Sequence, residues 1–335
     1  MTSFLPFHRR RDADADGAIG TGLVRRLRES GFAPFTVLVV LVAVIGMADG
    51  RFLTARSLAS LLEQSTPLAL LAIGQCLVVL TGRIDLGNAA LASLAGVLLA
   101  RLLGPLGVAS VPLVLLGGAA AAALAGWIHV TAQVPSFVVT LGALGVWSGV
   151  SLLVAQADTV LVTAGYPYVE WIFARWLRVV PVSFLLVLSV ALGLMWALRR
   201  LPAGRQIKAI GLNERAAAYS GIRTRGMVVL AFAGSGLCTA AAAVFQVAQL
   251  QSAGASTSSS LLLPAIAAVI IGGTAISGGV GGVGRTLVGA LVISVLRVGL
   301  DIIGVDSAVQ PIVYGVIVIV AIAATVDRTR TVVVA

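Results

Sequence analysis

Residues 108–130 read VASVPLVLLGGAAAAALAGWIHV, a predominantly apolar run without a single Lys, Arg, Asp or Glu. About 20 such residues in an α-helix cross the hydrocarbon core of a bilayer. The run therefore predicts a transmembrane helix. Nine further apolar runs fill most of the remaining chain, and together they predict an all-α fold, a polytopic membrane bundle of about ten helices.

The ten predicted spans leave no room for a large soluble domain. Hydrophobic residues make up 59% of the 335 residues and charged residues only 11%, whereas a soluble domain carries about 25% charged residues. The spans lie near Phe32–Ala48, Leu62–Leu80, Ala89–Leu103, Val108–Val130, Phe137–Ala155, Val179–Leu198, Met227–Val247, Pro264–Ile276, Thr286–Ile303 and Val309–Thr325. The third and the eighth are shorter than a crossing, so we expect neighbours to extend them or the protein to bury a broken helix.

The distribution of positive charge predicts the orientation of the bundle. Ten crossings place both termini on one side, and that side would hold 17 of the 23 Lys and Arg residues, against four on the other. Because cytoplasmic loops are enriched in these residues, both termini are predicted to be cytoplasmic. The chain then divides into a tail over 1–30, a transmembrane domain over 31–327 and a tail over 328–335. The net charge of +10 reflects this bias, so no nucleic-acid partner is predicted.

The sequence contains no motif typical of a catalytic or metal site. The histidines His8 and His129 and the cysteines Cys76 and Cys238 show no spacing typical of metal ligands. We therefore predict no catalytic residue, no metal and no cofactor.

Nucleotide-binding patterns are equally weak. Residues 279–284, GVGGVG, fit a dinucleotide-binding pattern, but they lie between membrane-type runs and not within a βαβ unit. Their glycines predict a tight turn between closely packed spans. The only lysine, Lys208, lies outside any phosphate-binding loop. Any ATP hydrolysis is therefore expected in a separate partner.

Two ionisable residues, Arg297 and Asp301, fall inside the ninth predicted span, four residues apart. This spacing puts them on one helix face, where they can neutralise each other. A substrate or proton site is the alternative, because ionisable residues within spans are functional candidates. A proton relay would need a second buried acid, which argues against an ion-coupled transporter.

Residues 204–221, GRQIKAIGLNERAAAYSG, separate the sixth and seventh spans. Asn213 is a favourable N-cap, Glu214 suits the positive end of a helix, and Gly221 is a natural stop. The segment predicts one short cytosolic helix.

Three segments together resemble the ribose-type ABC permeases. Residues 72–87, AIGQCLVVLTGRIDLG, are similar to the family's AxGxxxVxxxGGIDLSVG; residues 134–142, VPSFVVTLG, resemble PxFIxTLG; and residues 265–284, AIAAVIIGGTAISGGVGGVG, resemble IAAVVIGGTSLxGGxG. The chain departs from the pattern at Arg83, where the family has glycine. It departs again at 262–264, where LLP replaces the family's acidic ELD.

This resemblance implies the permease subunit of an ATP-driven ABC importer in the bacterial cytoplasmic (inner) membrane. Such a subunit moves a monosaccharide or similar small polar solute inward by alternating access. The implied partners are an ATP-binding cassette ATPase, a periplasmic or extracellular solute-binding protein, a second permease copy or close paralogue, and membrane lipid. The alternatives are an ion-coupled secondary transporter, which needs an internal ion site, and a non-transporting membrane scaffold, which needs no polar lining.

The resemblance also implies functional residues. In such importers a short cytosolic helix docks on the ATPase, and the family's loop reads GxNxxAxxxSGI. The matching coupling residues are Gly211, Asn213, Glu214, Ala217, Ser220 and Gly221. A surface helix resting on lipid headgroups is the alternative. Candidates to line the substrate path are Gln75, Asp85, Asn88, Thr140 and Gln246, any of which could instead satisfy a helix backbone at a break.

Overall fold

A computed structural model describes residues 33–176, 180–302, 304–306 and 308–325 of the chain. The α-helices are α1 (Ala33–Ala48), α2 (Ala55–Val79), α3 (Asn88–Leu106), α4 (Ser110–Ala132), α5 (Ser136–Ala155), α6 (Pro167–Glu170), α7 (Val182–Arg200), α8 (Pro202–Leu212), α9 (Glu214–Tyr219), α10 (Thr224–Leu250), α11 (Leu262–Ile271), α12 (Val283–Ile302) and α13 (Gln310–Thr325). The predicted all-α polytopic class is confirmed. The tails 1–30 and 328–335 and residues His8 and Arg178 lie outside the described residues.

Six helical stretches are long and apolar enough to cross a membrane: Ala55–Val79, Asn88–Ala132, Ser136–Ala155, Val182–Arg200, Thr224–Leu250 and Val283–Ile302. The second of these comprises α3 and α4 and folds back on itself. Asn88, at its start, bonds to Gln75, while His129, near its end, bonds to Arg83. Both ends of the hairpin therefore lie beside the same connection between α2 and α3.

Helix α10 lies in the middle of the bundle and packs closely on α2 and α4. A Cβ at Gly236 would overlap the carbonyl of Gly118, and one at Gly126 would overlap the ring of Phe232. Small residues permit such approach, and close packing stabilises helix pairs in a membrane, where lipid is as apolar as the side chains. The side chain of Phe232 is fully buried in this contact.

Two short strand pairs fasten the long connection between α5 and α7. β1 (Val160–Leu161) pairs with β4 (Ser252–Ala253), and β2 (Arg175–Trp176) pairs with β3 (Val180–Pro181). The guanidinium of Arg175 donates to both carboxylate oxygens of Glu63 on α2, at 2.7 and 2.9 Å. The loop is thus held against the bundle at both of its ends.

The predicted eighth span is shorter in the structure than predicted. Helix α11 has ten residues and ends at Ile271, before the predicted end at residue 276, because Gly272 and Gly273 follow it. The loop 272–282 then passes close to the α2–α3 connection, where the Gly279 amide donates to the Leu80 carbonyl at 2.9 Å. A Cβ at Gly278 would overlap the backbone of Gly82. The turn hydrogen bonds lie at residues 275–280, and the GVGGVG segment continues from this turn into the first residues of α12.

Candidate functional site

The α2–α3 connection, residues 80–87, brings together four of the five predicted path residues. Asn88 donates to the side-chain oxygen of Gln75 at 3.0 Å. In the opposite orientation of the Gln75 amide, which gives up the bond from Asn88 Nδ2, the Gln75 nitrogen donates to the Asp85 carbonyl at 3.0 Å and its oxygen accepts the Asp85 N–H at 3.2 Å. The Thr140 hydroxyl lies 3.4 Å from the Ile84 carbonyl. These side chains hold the chain reversal, which is the backbone role that the sequence left open as an alternative.

Asp85 lies at the centre of this turn with its carboxyl group buried. The carboxylate accepts the N–H of Gly87 at 2.8 Å, immediately before α3 begins, where the helix dipole favours a negative charge. Burial raises the pKa of Asp85 to about 6, opposed by the backbone hydrogen bonds from Gly87 and Asn88.

Arg83 does not pair with Asp85 but joins its own connection to two other elements, α9 and α4. Its Nη2 donates to both carboxylate oxygens of Glu214 on α9 at 2.9 Å. Its Nε donates to His129 Nε2 on α4 at 2.7 Å, and its Nη1 donates to the Thr81 carbonyl at 2.7 Å. We call Arg83, His129 and Glu214 the arginine cluster.

The arginine cluster also fixes the His129 ring. His129 Nδ1 lies 2.6 Å from the Val134 carbonyl and must donate there, so Nε2 is free to accept from Arg83. The neutral ring is thus held between the arginine and the α4–α5 connection. Sequence reasoning missed this cluster; the available signal was Arg83, a charged residue where the similar family has glycine.

The segment after α7 forms two helices, α8 and α9, and not the single helix predicted. Pro202 starts α8 at its first position, where a missing N–H costs nothing. The Asn213 side chain caps α9 by accepting the Ala216 N–H at 3.0 Å. After α9, Gly221 adopts φ +80° and its N–H bonds to the Ala218 carbonyl at 3.0 Å. The predicted cap and stop are therefore present, with a second helix before them.

The predicted coupling residues face different surroundings. Gly211 lies against the Leu80 carbonyl and the Gly279 amide, with no space for a Cβ. The side-chain hydroxyl of Ser220 donates to the Ala216 carbonyl at 2.9 Å. Ala217 is only 4% exposed and packs inward. Its neighbours there are Val78, Ile210, Val228 and Phe232.

The outward surface of α8 and α9 carries large apolar side chains instead. Tyr219 is 93% exposed and Leu212 is 67% exposed. Ala217 cannot contact a partner directly, because its methyl group is covered by the chain's own core. We call Leu212 and Tyr219 the exposed pair.

Gln246, the fifth predicted path residue, lies near the C-terminal end of α10 and has a different hydrogen-bond partner from the other four. The Ser258 hydroxyl donates to its side-chain oxygen. Gln246 lines a cavity of about 250 Å³ together with Arg297. The expected neutralisation of Arg297 by Asp301 is wrong, since Asp301 instead accepts from Gln310 Nε2 at 2.7 Å.

Comparison with known proteins decides the family. The sequence model described as "Branched-chain amino acid transport system / permease component" matches residues 57–322. The chain belongs to this family. As a permease component it is a multi-pass protein of the bacterial inner membrane and is not itself an enzyme. Family membership implies a separate ATPase subunit and a solute-binding protein.

Curated relatives of the permease cover most of its length. It is 32% identical to the ribose import permease protein RbsC of Escherichia coli (strain K12) over 292 residues, covering 85% of this chain and 90% of that protein. It is 33% identical to RbsC of Bacillus subtilis (strain 168), covering 89% and 92%. The galactofuranose transporter permease protein YtfT of Escherichia coli (strain K12) is 34% identical, covering 82% and 80%.

Proposed function

We propose that this permease imports a monosaccharide or similar small polar solute by alternating access, driven by ATP that a partner ATPase hydrolyses. The named relatives that act on ribose and galactofuranose support the solute class. The observation that carries the mechanism is the arginine cluster. It ties α9, the helix proposed to meet the ATPase, to the buried turn that holds Asp85 and Asn88.

The proposed coupling runs through rigid contacts. An ATPase that moves the exposed pair would carry α8 and α9 with it, because α9 is short and is capped at both ends. Movement of Glu214 would then displace Arg83, and Arg83 would displace the α2–α3 turn and His129. Two bundle arrangements with different ATPase contacts would be favoured in turn by ATP binding and release.

The same proposal sets the topology. Ten crossings would include the short α1 and α11 and would place the tails 1–30 and 328–335 in the cytoplasm, flanking a permease domain over 31–327. The coupling residues Gly211, Asn213, Glu214, Ala217, Ser220 and Gly221 would then be cytosolic. Two permease copies in contact with lipid would enclose one path, with Gln75, Asp85, Asn88 and Thr140 shaping it.

Energy use provides a direct test. Reconstituted alone in liposomes, the permease should neither hydrolyse ATP nor accumulate a small polar solute such as ribose or gluconate, because its only lysine, Lys208, lies outside any phosphate-binding loop. Addition of the co-purifying ATPase and the solute-binding protein should confer ATP-dependent uptake. Uptake by the permease alone, driven by a sodium or proton gradient, would favour a secondary transporter and overturn the proposal.

Topology can be tested by cysteine labelling. In a background without Cys76 and Cys238, an impermeant thiol reagent applied from outside should label Asp158→Cys and Ser256→Cys, both at exposed positions. It should not label Arg215→Cys until the membrane is permeabilised. Labelling of positions 256 and 215 from the same side would exclude the ten-crossing arrangement.

A further inference from the structure

Two adjoining cavities lie between α2, α10, α12 and α13. Their volumes are about 250 and 320 Å³, and both are lined by Leu68, Ser260, Leu261 and Arg297. Sites for small molecules begin at about 300 Å³, so the joined space can hold a small solute. Its other polar lining residues are Gln64, Gln246, Gln249, Thr257, Gln310 and Tyr314.

Among the residues that the structure describes, Arg297 is the only charged residue that lines either cavity. Among the described residues, no hydrogen bond or ion pair reaches its guanidinium group. The nearest acid along the helix, Asp301, lines neither cavity. Its carboxylate accepts from Gln310, and Gln310 in turn accepts from the Tyr314 hydroxyl at 3.3 Å. Arg297 is exposed within the chain, so its positive charge is accessible to a solute that enters the cavity.

A guanidinium within a membrane span is costly unless an anion or water accompanies it. Arginine presents a planar fork of donors that matches a carboxylate with two parallel hydrogen bonds. The surrounding glutamine, serine and threonine side chains both donate and accept hydrogen bonds, which suits the hydroxyl groups of a small polyhydroxylated solute. Gln246, whose oxygen is occupied by Ser258, has its amide nitrogen available, since no acceptor for it lies within the described part of the chain.

We infer that this cavity binds a polyhydroxylated carboxylate, with the carboxylate on Arg297 and the hydroxyl groups on the glutamine side chains. The inference deepens the proposed function and rests on it, because it makes the imported solute an acidic sugar derivative. Neutral sugars are what the named relatives carry.

Protection of a cysteine placed in the cavity tests the inference without the ATPase. Ser260→Cys lines both cavities, while the native Cys76 and Cys238 are buried. The full-length permease in nanodiscs is treated with neutral N-ethylmaleimide, alone or with rising gluconate, or with glucose at matched ionic strength. Gluconate should slow the reaction by about tenfold at a concentration about ten times its Kd, and glucose should have little effect.

Variants at position 297 show whether the charge of Arg297 is responsible for protection by gluconate. Arg297→Gln should abolish protection by gluconate, and Arg297→Lys should keep part of it. The matched control is Arg101→Gln, an exposed arginine on α3 that lines neither cavity. It should leave protection unchanged.

Equal or better protection by glucose, no protection by either solute, or full protection of Arg297→Gln would each overturn the inference. These results would leave the importer proposal standing, because that proposal is tested by ATP-dependent uptake with the partner subunits. Conversely, gluconate protection without any ATP-dependent uptake would support the site and contradict the importer.

Discussion

The Arg83→Ala permease is expected to lose at least about tenfold of its ATP-driven uptake while ATP hydrolysis by the assembled complex continues. Removal of Arg83 breaks the contacts to Glu214, His129 and the Thr81 carbonyl together. Hydrogen bonds to charged groups contribute about 1.5–3 kcal/mol each, and a tenfold effect needs only about 1.4 kcal/mol. The measurement is uptake per ATP hydrolysed in proteoliposomes.

The pair between Arg83 and Glu214 contributes little to stability by itself, because Glu214 is about half exposed and its charge is screened by solvent. Loss of the contacts to His129 and the Thr81 carbonyl also removes stabilising interactions, so uptake is measured per permease present in the membrane. Arg83→Lys keeps the charge but loses the forked contact and should be intermediate. The control is Arg215→Ala, which lies next to Glu214 on α9 and should transport normally. Normal coupling in Arg83→Ala would remove the arginine cluster from the mechanism.

Replacing Tyr219 by Ala should release the ATPase from the permease. A tyrosine that is 93% exposed gains most from burial in a partner groove, and aromatic anchors of this kind account for 2 kcal/mol or more, about a thirtyfold loss of affinity. Co-purification of the ATPase should fall in Tyr219→Ala and in Leu212→Ala, with the permease itself intact. Retention of the ATPase by the double variant would show that the exposed pair is not the docking surface.

Ala217→Arg should act differently from substitutions in the exposed pair. Because Ala217 packs against Phe232 and Val228, an arginine there would place an unpaired charge in the core. Destabilisation of the permease itself is expected, seen as lower membrane abundance and a lower melting temperature. A stable Ala217→Arg protein that has lost only its ATPase would instead mean that Ala217 faces the partner.

Local chemistry made part of this structure predictable from sequence. The Asn213 cap and the Gly221 stop depend on neighbours within a few residues, and the structure has both. Membrane helices were predictable because apolar length is itself the signal. The approach of Arg83 to Glu214 was not, since 131 residues separate them and neither residue has a local pattern that names its partner.

Residue spacing alone did not predict the direction of two side chains. The separation of Arg297 from Asp301 allowed a pair on one helix face, but Gln310 from the next helix took the Asp301 carboxylate. Ala217 matched a motif for a partner-facing helix, yet the fold turned it towards Phe232. In both cases a tertiary contact, which no periodicity records, decided the direction of a side chain.

The short helix α11 bears on how the protein responds to its lipid. Ten residues at 1.5 Å each cover about 15 Å, half of a hydrocarbon core of about 30 Å. Most of its side chains are buried in protein, whereas α5 and α7 are largely uncovered within the chain. A thicker or thinner bilayer should therefore tilt the peripheral helices, while α11 and the turn behind it keep their depth. Hydrophobic mismatch would change the tilt of the peripheral helices and leave the position of α11 along the membrane normal unchanged.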